Sequence, residues 1–349
     1  MGLRMIEAVK IGDRMIGARQ KPFIVAEACI NHQGEIAVAE QMVHMAHAVG
    51  ADAIKFQIHV LENEMLRQAP QSDNFDEPLW ETLDKTNLTV DEHRRLKKLC
   101  ERLGILYLCT PFSRKGADIL EELNVVAYKV GSGELTNLPL QEHIARKGRP
   151  MIISTGMCTV DEIAETANLV RSIGTPFMLT HCVSAYPCPY HIVNLKMIPK
   201  YMEMFQVPVG LSDHSRGIYT SLGAVALGAC LVEKHFTLDK LQKGPDHASS
   251  LEPFDLGELV KGAEAVFQAL GDEKRIFPEE EQIVAWARES VVTERAIPRG
   301  TSITPEMVWV KRPSPAAGVV SAKDLKKVVG RVAKVDIPEG VQVKWEYLQ

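Results

Sequence analysis

Eight short runs of apolar, β-prone residues recur along the chain: FIVAEACI (23–30), AIKFQIH (53–59), LYLCTPF (106–112), AYKVGSGE (127–134), PMIISTGM (150–157), FMLTHCV (177–183), VPVGLSD (207–213) and CLVEKHF (230–236). Between most of them apolar residues return at intervals of three and four, the spacing of one helix face. AVAEQMVHMAHAVGA (37–51) and VDEHRRLKKLCERLG (90–104) predict helices, the second closed by Gly104 as its C-cap. Thr159 with Glu162 three residues on is a capping-box pattern and predicts a helix start over 159–174. Strands alternating with helices predict a parallel sheet. Eight such units in roughly 250 residues predict an α/β fold of the TIM (β/α)8 barrel type. A doubly wound sheet is the alternative, but no GxGxxG follows the first strand.

LEPFDLGELVKGAEAVFQALG (251–271) reads as the last barrel helix. A polar stretch rich in Glu and Lys follows, and near Ser290 the texture changes to short strands and turns. There AIPRGTSI (296–303) is echoed by DIPEGVQV (336–343), each with Ile-Pro-x-Gly, and Pro then Gly suits a tight turn. The expected organisation is a barrel over 1–280, a linker over 281–289 and a small β-rich domain over 290–349. A module of that size is marginal unless it packs on something.

Composition narrows the class. Hydrophobic residues at 46% and charged residues at 24% describe a globular chain, not a disordered one. The net charge of -5 argues against a nucleic-acid binder, although a few local lysines suffice for one small anion. The seven cysteines are odd in number, include no CxxC pair and fall mostly in apolar runs, so buried reduced thiols are expected. MGLRMIEAVKIGDRM has no unbroken apolar segment of signal-peptide length, and LGAVALGACLV (222–232) is too short to span a bilayer. A cytoplasmic protein is expected.

The chemistry concentrates at the C-terminal ends of the predicted strands. In order, these ends carry Glu27 and Asn31; Lys55 and Gln57; Thr110 and Ser113; Lys129, Ser132 and Glu134; Ser154 and Thr155; His181, Ser184 and Tyr186; Ser212, Asp213 and His214; Glu233 and His235. That end of a TIM barrel carries the active site, so polar residues on every strand predict an enzyme. His214 and His235 close neighbouring strands and together offer two imidazoles to one divalent metal with open positions, although either alone is more often structural. Lys55 and Lys129 are costly to bury without partners. They predict either internal ion pairs, with Glu27 or Glu134, or a receptor for an anion. Gly131, Ser132 and Ser154 beside them suit the anion, which is the favoured reading. A Schiff-base role for Lys129 is the third.

The ordered motifs FIVAEACINHQG, IKFQ, TPFS, YKVGSGE, STGM, HCVSAYP, GLSDH, EKHFTLD and GPDH resemble those of the sialic acid synthase family, from about residue 20 to the end. The tail from VVTERAIPRG through VWVKRP resembles the antifreeze-like (SAF, β-clip) domain joined to that barrel. The resemblance implies a transferase that condenses phosphoenolpyruvate with the open-chain aldehyde of N-acetylmannosamine. The products are N-acetylneuraminate and phosphate, released by C–O cleavage with the aid of Mn2+ or Mg2+. It implies His214 and His235 as metal ligands, and Lys55, Thr110, Lys129, Ser132, Ser154 and Ser212 around phosphoenolpyruvate. Glu27, Gln57, Tyr186 and Asp246 would line the sugar side, with Glu134 near the reacting carbons. Arg312, in VKRP, matches an arginine sent into the barrel of a partner subunit, which implies a domain-swapped homodimer. Ser184 departs from members that carry Asn there.

Charge is consistent with this. Phosphoenolpyruvate carries about -2.5 to -3 near neutral pH, which two lysines, one arginine and a divalent ion balance. Glu27 or Glu134 would activate the attacking water. IHVLENEM (58–65) is similar to bacterial sialic acid synthases, whereas SRGIYTSLGAVALGA and KGPDHASSLEP are more similar to legionaminate and animal sialic acid synthases. The alternative acceptor is therefore a 2,4-diacetamido-2,4,6-trideoxyhexose, giving legionaminic or pseudaminic acid. A non-catalytic sugar- or ice-binding protein is the remaining rival, but such a binder needs no polar residue at every strand end.

Overall fold

All eight expected strands form in the computed structural model, which describes residues 6–68 and 77–349. The reading of the first five residues lies outside the described residues. The strands are β1 (Phe23–Glu27), β2 (Ala53–Ile58), β3 (Leu106–Pro111), β4 (Tyr128–Val130), β5 (Met151–Ser154), β6 (Phe177–Cys182), β7 (Val209–Asp213) and β8 (Leu231–His235). They make one sheet in the order β3-β2-β1-β8-β7-β6-β5-β4, and every ladder in it is parallel. Pairing of β8 with β1 curls the sheet, and β3 lies beside β4 across the remaining seam, so the barrel is nearly closed.

A packing helix follows each strand: α1 (Ile36–Ala48), α2 (Val90–Leu103), α3 (Arg114–Glu122), α4 (Leu138–Ala145), α5 (Val160–Ile173), α6 (Met197–Phe205), α7 (Tyr219–Ala226) and α8 (Pro253–Gln268); two shorter helices, Leu61–Glu64 and Leu79–Thr86, lie between β2 and α2. The capping signals act as expected. Thr89 with Glu92 and Thr159 with Glu162 form reciprocal capping boxes, and Gly104 ends α2 in the left-handed conformation. These elements belong to a first compact unit, Met1–Gly271.

Alternation along the strands sorts their residues into two faces. Ile24, Ile54, Tyr107, Tyr128, Ile153 and Val232 point outward and join the apolar faces of the helices in one continuous core. Inward positions in the first half of the strands are also apolar: Phe23, Val25, Ala53, Leu108, Ala127, Ile152, Met178 and Leu231. Val9, Ile11 and Ile16 pack onto this inner cluster from an antiparallel hairpin, Val9–Ile11 with Arg14–Ile16. Burying each such aliphatic chain contributes about 1.5–3 kcal/mol. The hairpin was not among the expected elements. Its signal is VKI and RMI flanking a two-residue Gly-Asp turn.

The second unit is Asp272–Gln349. A helix, Glu281–Ala287, occupies the segment expected as a linker. Ser290–Thr293 then pairs antiparallel with Val308–Lys311. The two echoed segments pair with each other: the Ile297 and Ile337 N–H groups donate to one another's carbonyls at 2.8 and 2.9 Å. Gly300 (φ 82°) and Gly340 (φ 75°) take the left-handed backbone that the echoed turns require. Val291, Ile297, Val308, Val320, Ile337 and Val343 form this unit's own core. All seven cysteines are free, and all but Cys158 are buried. Among the described residues no helix is long and apolar enough to cross a membrane.

Candidate active site

Beyond the apolar layers the inward face of the barrel turns polar. Glu27, Lys55, Gln57, Thr110, Lys129, Ser154, Ser212, Glu233 and His235 all line one cavity of about 790 Å³ at the C-terminal ends of the strands. Loops above the strands add Ser132, Glu134, Tyr186, His214 and Asp246. Met65, Leu79 and Leu83, from the connection between β2 and α2, make an apolar side. Every residue expected at the site from the barrel sequence is therefore brought into one cavity.

The lysines share a partner. Glu233 Oε1 lies 3.0 Å from Lys129 Nζ and 3.1 Å from Lys55 Nζ, and accepts from Ser212 Oγ at 3.0 Å. Lys55 also pairs with Glu27 at 2.9 Å and reaches Thr110 Oγ1 at 3.4 Å. Of the two expected ion-pair partners, Glu27 is used and Glu134 is not; Glu233 joins instead. All four charged groups are buried. Burial disfavours the Glu233 carboxylate, but two lysines outweigh it and hold its pKa below the usual range. Glu27 goes the other way, pushed up to about 7 by burial and by the charge of Glu233, against the pull of Lys55. Burial lowers the pKa of Lys129 despite Glu233 beside it.

Glu134 sits above this cluster on a single 3-10 turn, Ser132–Glu134. Burial pushes its carboxyl up to about 7, and its Oε2 has no hydrogen-bond partner. Gly131 leaves room for this carboxyl: a Cβ there would meet Glu134 Oε2 and push the side chain from its present position. Ser132 Oγ accepts the Gly156 N–H at 3.0 Å and so ties the β4 loop to the β5 loop. Ser154 Oγ is paired with Thr180 Oγ1 at 2.8 Å.

His214 and His235 meet edge-on at the mouths of β7 and β8, ring centroids 5.3 Å apart, with the Tyr186 ring tilted over His214 at 4.1 Å. His214 Nδ1 is 2.9 Å from the Val183 carbonyl, which fixes that nitrogen as a donor. Burial disfavours the charged ring, but Cys182 and this carbonyl outweigh it and raise the pKa above its usual value. His235 Nδ1 is buried and unpartnered, 3.9 Å from Asp246 Oδ2. Burial lowers the His235 pKa to about 4, so the ring is neutral at physiological pH. A buried neutral imidazole with an idle nitrogen fits a divalent ion at this point.

Other strand-end residues serve the scaffold. Asn31 Nδ2 donates to the Phe236 carbonyl and Ser250. Ser113 caps α3, and the Thr155 hydroxyl donates to the Thr180 carbonyl. His181 faces the helices and bonds the Val193 carbonyl at 2.6 Å, while Asp213 pairs with Lys234. Ser184 lines the cavity. Arg312 belongs to the second unit, its guanidinium 5.2 Å from the Trp286 ring centroid. Cys29, His59 and Glu64 line the cavity without having been expected there. His59 and Glu64 pair with each other at 2.8 Å.

Known proteins resemble this chain along most of its length. The model of the NeuB family matches residues 42–275, and that of the SAF domain matches residues 288–349. The chain is 38% identical to human N-acetylneuraminate-9-phosphate synthase, over 93% of this chain and 92% of that one. It is 35% identical to the N,N'-diacetyllegionaminic acid synthase of Legionella pneumophila, over 95% and 96%. Among solved structures it is similar to the N-acetylneuraminic acid (sialic acid) synthetase of Leptospira borgpetersenii. That likeness has a TM-score of 0.72 and 32% identity, over 81% of this chain and 97% of that one.

Proposed function

This chain belongs to the NeuB family, and from that premise we propose that it joins phosphoenolpyruvate to the open-chain aldehyde of an N-acylated amino sugar. The observation that carries the reading is one cavity in which two buried lysines, fixed by a shared glutamate, stand opposite a pair of histidines. Lys55 and Lys129 meet the phosphate and carboxylate as point charges, with the Thr110, Ser132, Ser154 and Ser212 hydroxyls completing the contacts. Gln57, Tyr186 and Asp246 face the sugar. His214 and His235 hold a divalent ion, which supplies Lewis-acid polarisation of the aldehyde oxygen.

The bond changes follow from the substrate. Carbon 3 of phosphoenolpyruvate attacks the aldehyde carbon, whose oxygen takes a proton from water in the cavity, and positive charge develops at carbon 2. The Glu134 carboxylate stabilises that charge; one well-placed group of this kind contributes about 3–4 kcal/mol. Water adds at carbon 2 and gives a proton to Glu134 or Glu27, both poised near neutral pH. The bond from carbon 2 to the phosphate oxygen then breaks, phosphate leaves, and a 2-keto sugar acid remains.

N-acetylmannosamine is the proposed acceptor. The apolar side made by Met65, Leu79 and Leu83 favours a second reading, a 2,4-diacetamido-2,4,6-trideoxyhexose whose methyl group would pack there. Phosphate release from phosphoenolpyruvate with each acceptor, in the presence of Mn2+, distinguishes them. The first reading fails if N-acetylmannosamine gives a kcat/KM tenfold lower. No phosphate release with any amino sugar overturns the reaction class, as does full turnover in EDTA for the ion. Borohydride with pyruvate should trap no adduct on Lys129. Arg312 is assigned to the site of a partner subunit in a homodimer. Mixing Arg312→Ala with His235→Ala protein should then restore activity, and no recovery after proven subunit exchange removes Arg312 from the site.

A further inference from the structure

Cys29 follows β1, His235 ends β8, and Asp246 lies in the connection from β8 to α8. One donor atom from each stands within 4.8 Å of the other two, and all three residues are buried. His235 Nδ1, the idle nitrogen described above, lies 3.9 Å from the Asp246 carboxylate of this cluster. The cysteine is held there against backbone preference. Its φ is 46°, the left-handed region, where glycine sits without strain and other residues seldom do. Gln57 Nε2 donates to Cys29 Sγ at 3.0 Å, so the sulfur already acts as an acceptor at the cavity wall.

We infer that Cys29 supplies a sulfur ligand, and Asp246 a carboxylate ligand, to the divalent ion held by His235, so that the site selects a transition ion such as Zn2+, Co2+ or Fe2+ over Mg2+. The inference rests on the proposed function only in placing a divalent ion here. Metal–ligand bonds of about 2.0–2.3 Å put tetrahedral donors about 3.4–3.8 Å apart, so small rotamer changes close the set. One thiolate and one carboxylate cancel the charge of a divalent ion, which removes most of the penalty for burying it. The thiol proton passes to solvent as the ion binds. Thiolate is a soft donor that suits Zn2+, Co2+ and Fe2+, whereas Mg2+ holds to oxygen ligands and keeps its waters.

The test is a Co2+ titration of the full-length, metal-stripped protein, followed in the visible and near ultraviolet. The wild type should show the visible bands of bound Co2+ together with a thiolate-to-Co2+ charge-transfer band. Cys29→Gly, which also relieves the backbone and so keeps the fold, should keep the visible bands and lose the charge-transfer band. Competition against a chromophoric chelator should show Zn2+ affinity reduced by at least tenfold in Cys29→Gly and in Asp246→Asn. The Mg2+ affinity of Cys29→Gly should change by less than twofold. Visible bands without charge transfer in the wild type would leave the ion without a sulfur ligand, and a charge-transfer band that survives in Cys29→Gly would put the sulfur on another cysteine, such as Cys182 beside His214. Either result overturns Cys29 as the sulfur ligand and leaves the proposed reaction standing. No Co2+ binding by the wild type overturns the inference, and the proposed function's ion with it.

Discussion

Near their C-terminal ends β7 and β8 pair two consecutive polar residues in register, Ser212 with Glu233 and Asp213 with Lys234, and the two pairs do opposite things. Ser212 opposite Glu233 faces the cavity; Asp213 opposite Lys234 faces the helices. The outer pair is closed. Lys234 Nζ lies 3.0 Å from Asp213 Oδ2 and donates to the Ser215 carbonyl. Asp213 also accepts from the Ser215 N–H at 2.8 Å and from the Thr220 and Ser221 hydroxyls at 2.6 Å each. Burial alone would raise its pKa, but Lys234 and these donors hold it below the usual range. The inner group is open. A single oxygen of Glu233 serves Lys55, Lys129 and Ser212, and among the described residues Lys129 donates to nothing else. A lysine has three N–H donors, so Lys129 still has two to offer a ligand, whereas Lys55 spends its own on Glu27, Glu233 and Thr110. Buried charge marks function when its partners are too few, and structure when they suffice.

The sharpest way to break this contrast is to remove one member of each group. Asp213→Asn leaves a buried lysine unpaired and should destabilise the fold by about 3–5 kcal/mol, read by chemical denaturation. The kcat/KM of the protein that remains folded should stay within about threefold of wild type. Lys129→Met should do the reverse. Its kcat/KM should fall by about 10²–10³, the loss seen when one charge-stabilising group is removed, with the denaturation midpoint little changed. Equal losses of activity in both variants would erase the distinction.

Glu134 sharpens the contrast through pH. Its carboxyl is raised from 4.5 to about 7 by burial, so between those values the folded state keeps a proton that the unfolded state has lost. Its contribution to stability is full below the unfolded value and is lost as pH rises through the folded one. Glu134→Gln carries no such loss. Its Tm should therefore rise relative to wild type from about pH 5 to about pH 8. A constant difference across that range contradicts the raised pKa. The smallest effect belongs to the far end of the barrel, where Ile11→Val in the hairpin should cost about 0.5–1.5 kcal/mol with kcat/KM unchanged.

Much of this was legible from residues near one another in sequence. Capping boxes lie three residues apart, and each strand announces itself by a short β-rich run, so the barrel and the polar strand ends could be read directly. The shared partner of the lysines could not. Glu233 meets Lys55 and Lys129 only because the sheet curls until β8 pairs with β1, which joins residues more than a hundred positions apart. Parity along the strands would have helped. Ser212 and Glu233 have the inward parity set by the apolar layers below them, and His181 and Asp213 do not. Cys29 lay two residues beyond inward-facing Glu27, yet a cysteine in an apolar run resembles ordinary core. The N-terminal hairpin was missed because each of its strands is only three residues long.

The central claim is that the cavity builds a carbon–carbon bond from phosphoenolpyruvate and expels phosphate by breaking the bond from carbon to the bridging oxygen. Phosphoenolpyruvate carrying heavy oxygen in that bridge, turned over with N-acetylmannosamine, tests it directly by mass spectrometry of the released phosphate. The label should leave entirely with the phosphate, alongside a nine-carbon 2-keto acid. Label retained in the organic product would mean attack at phosphorus and would contradict the account.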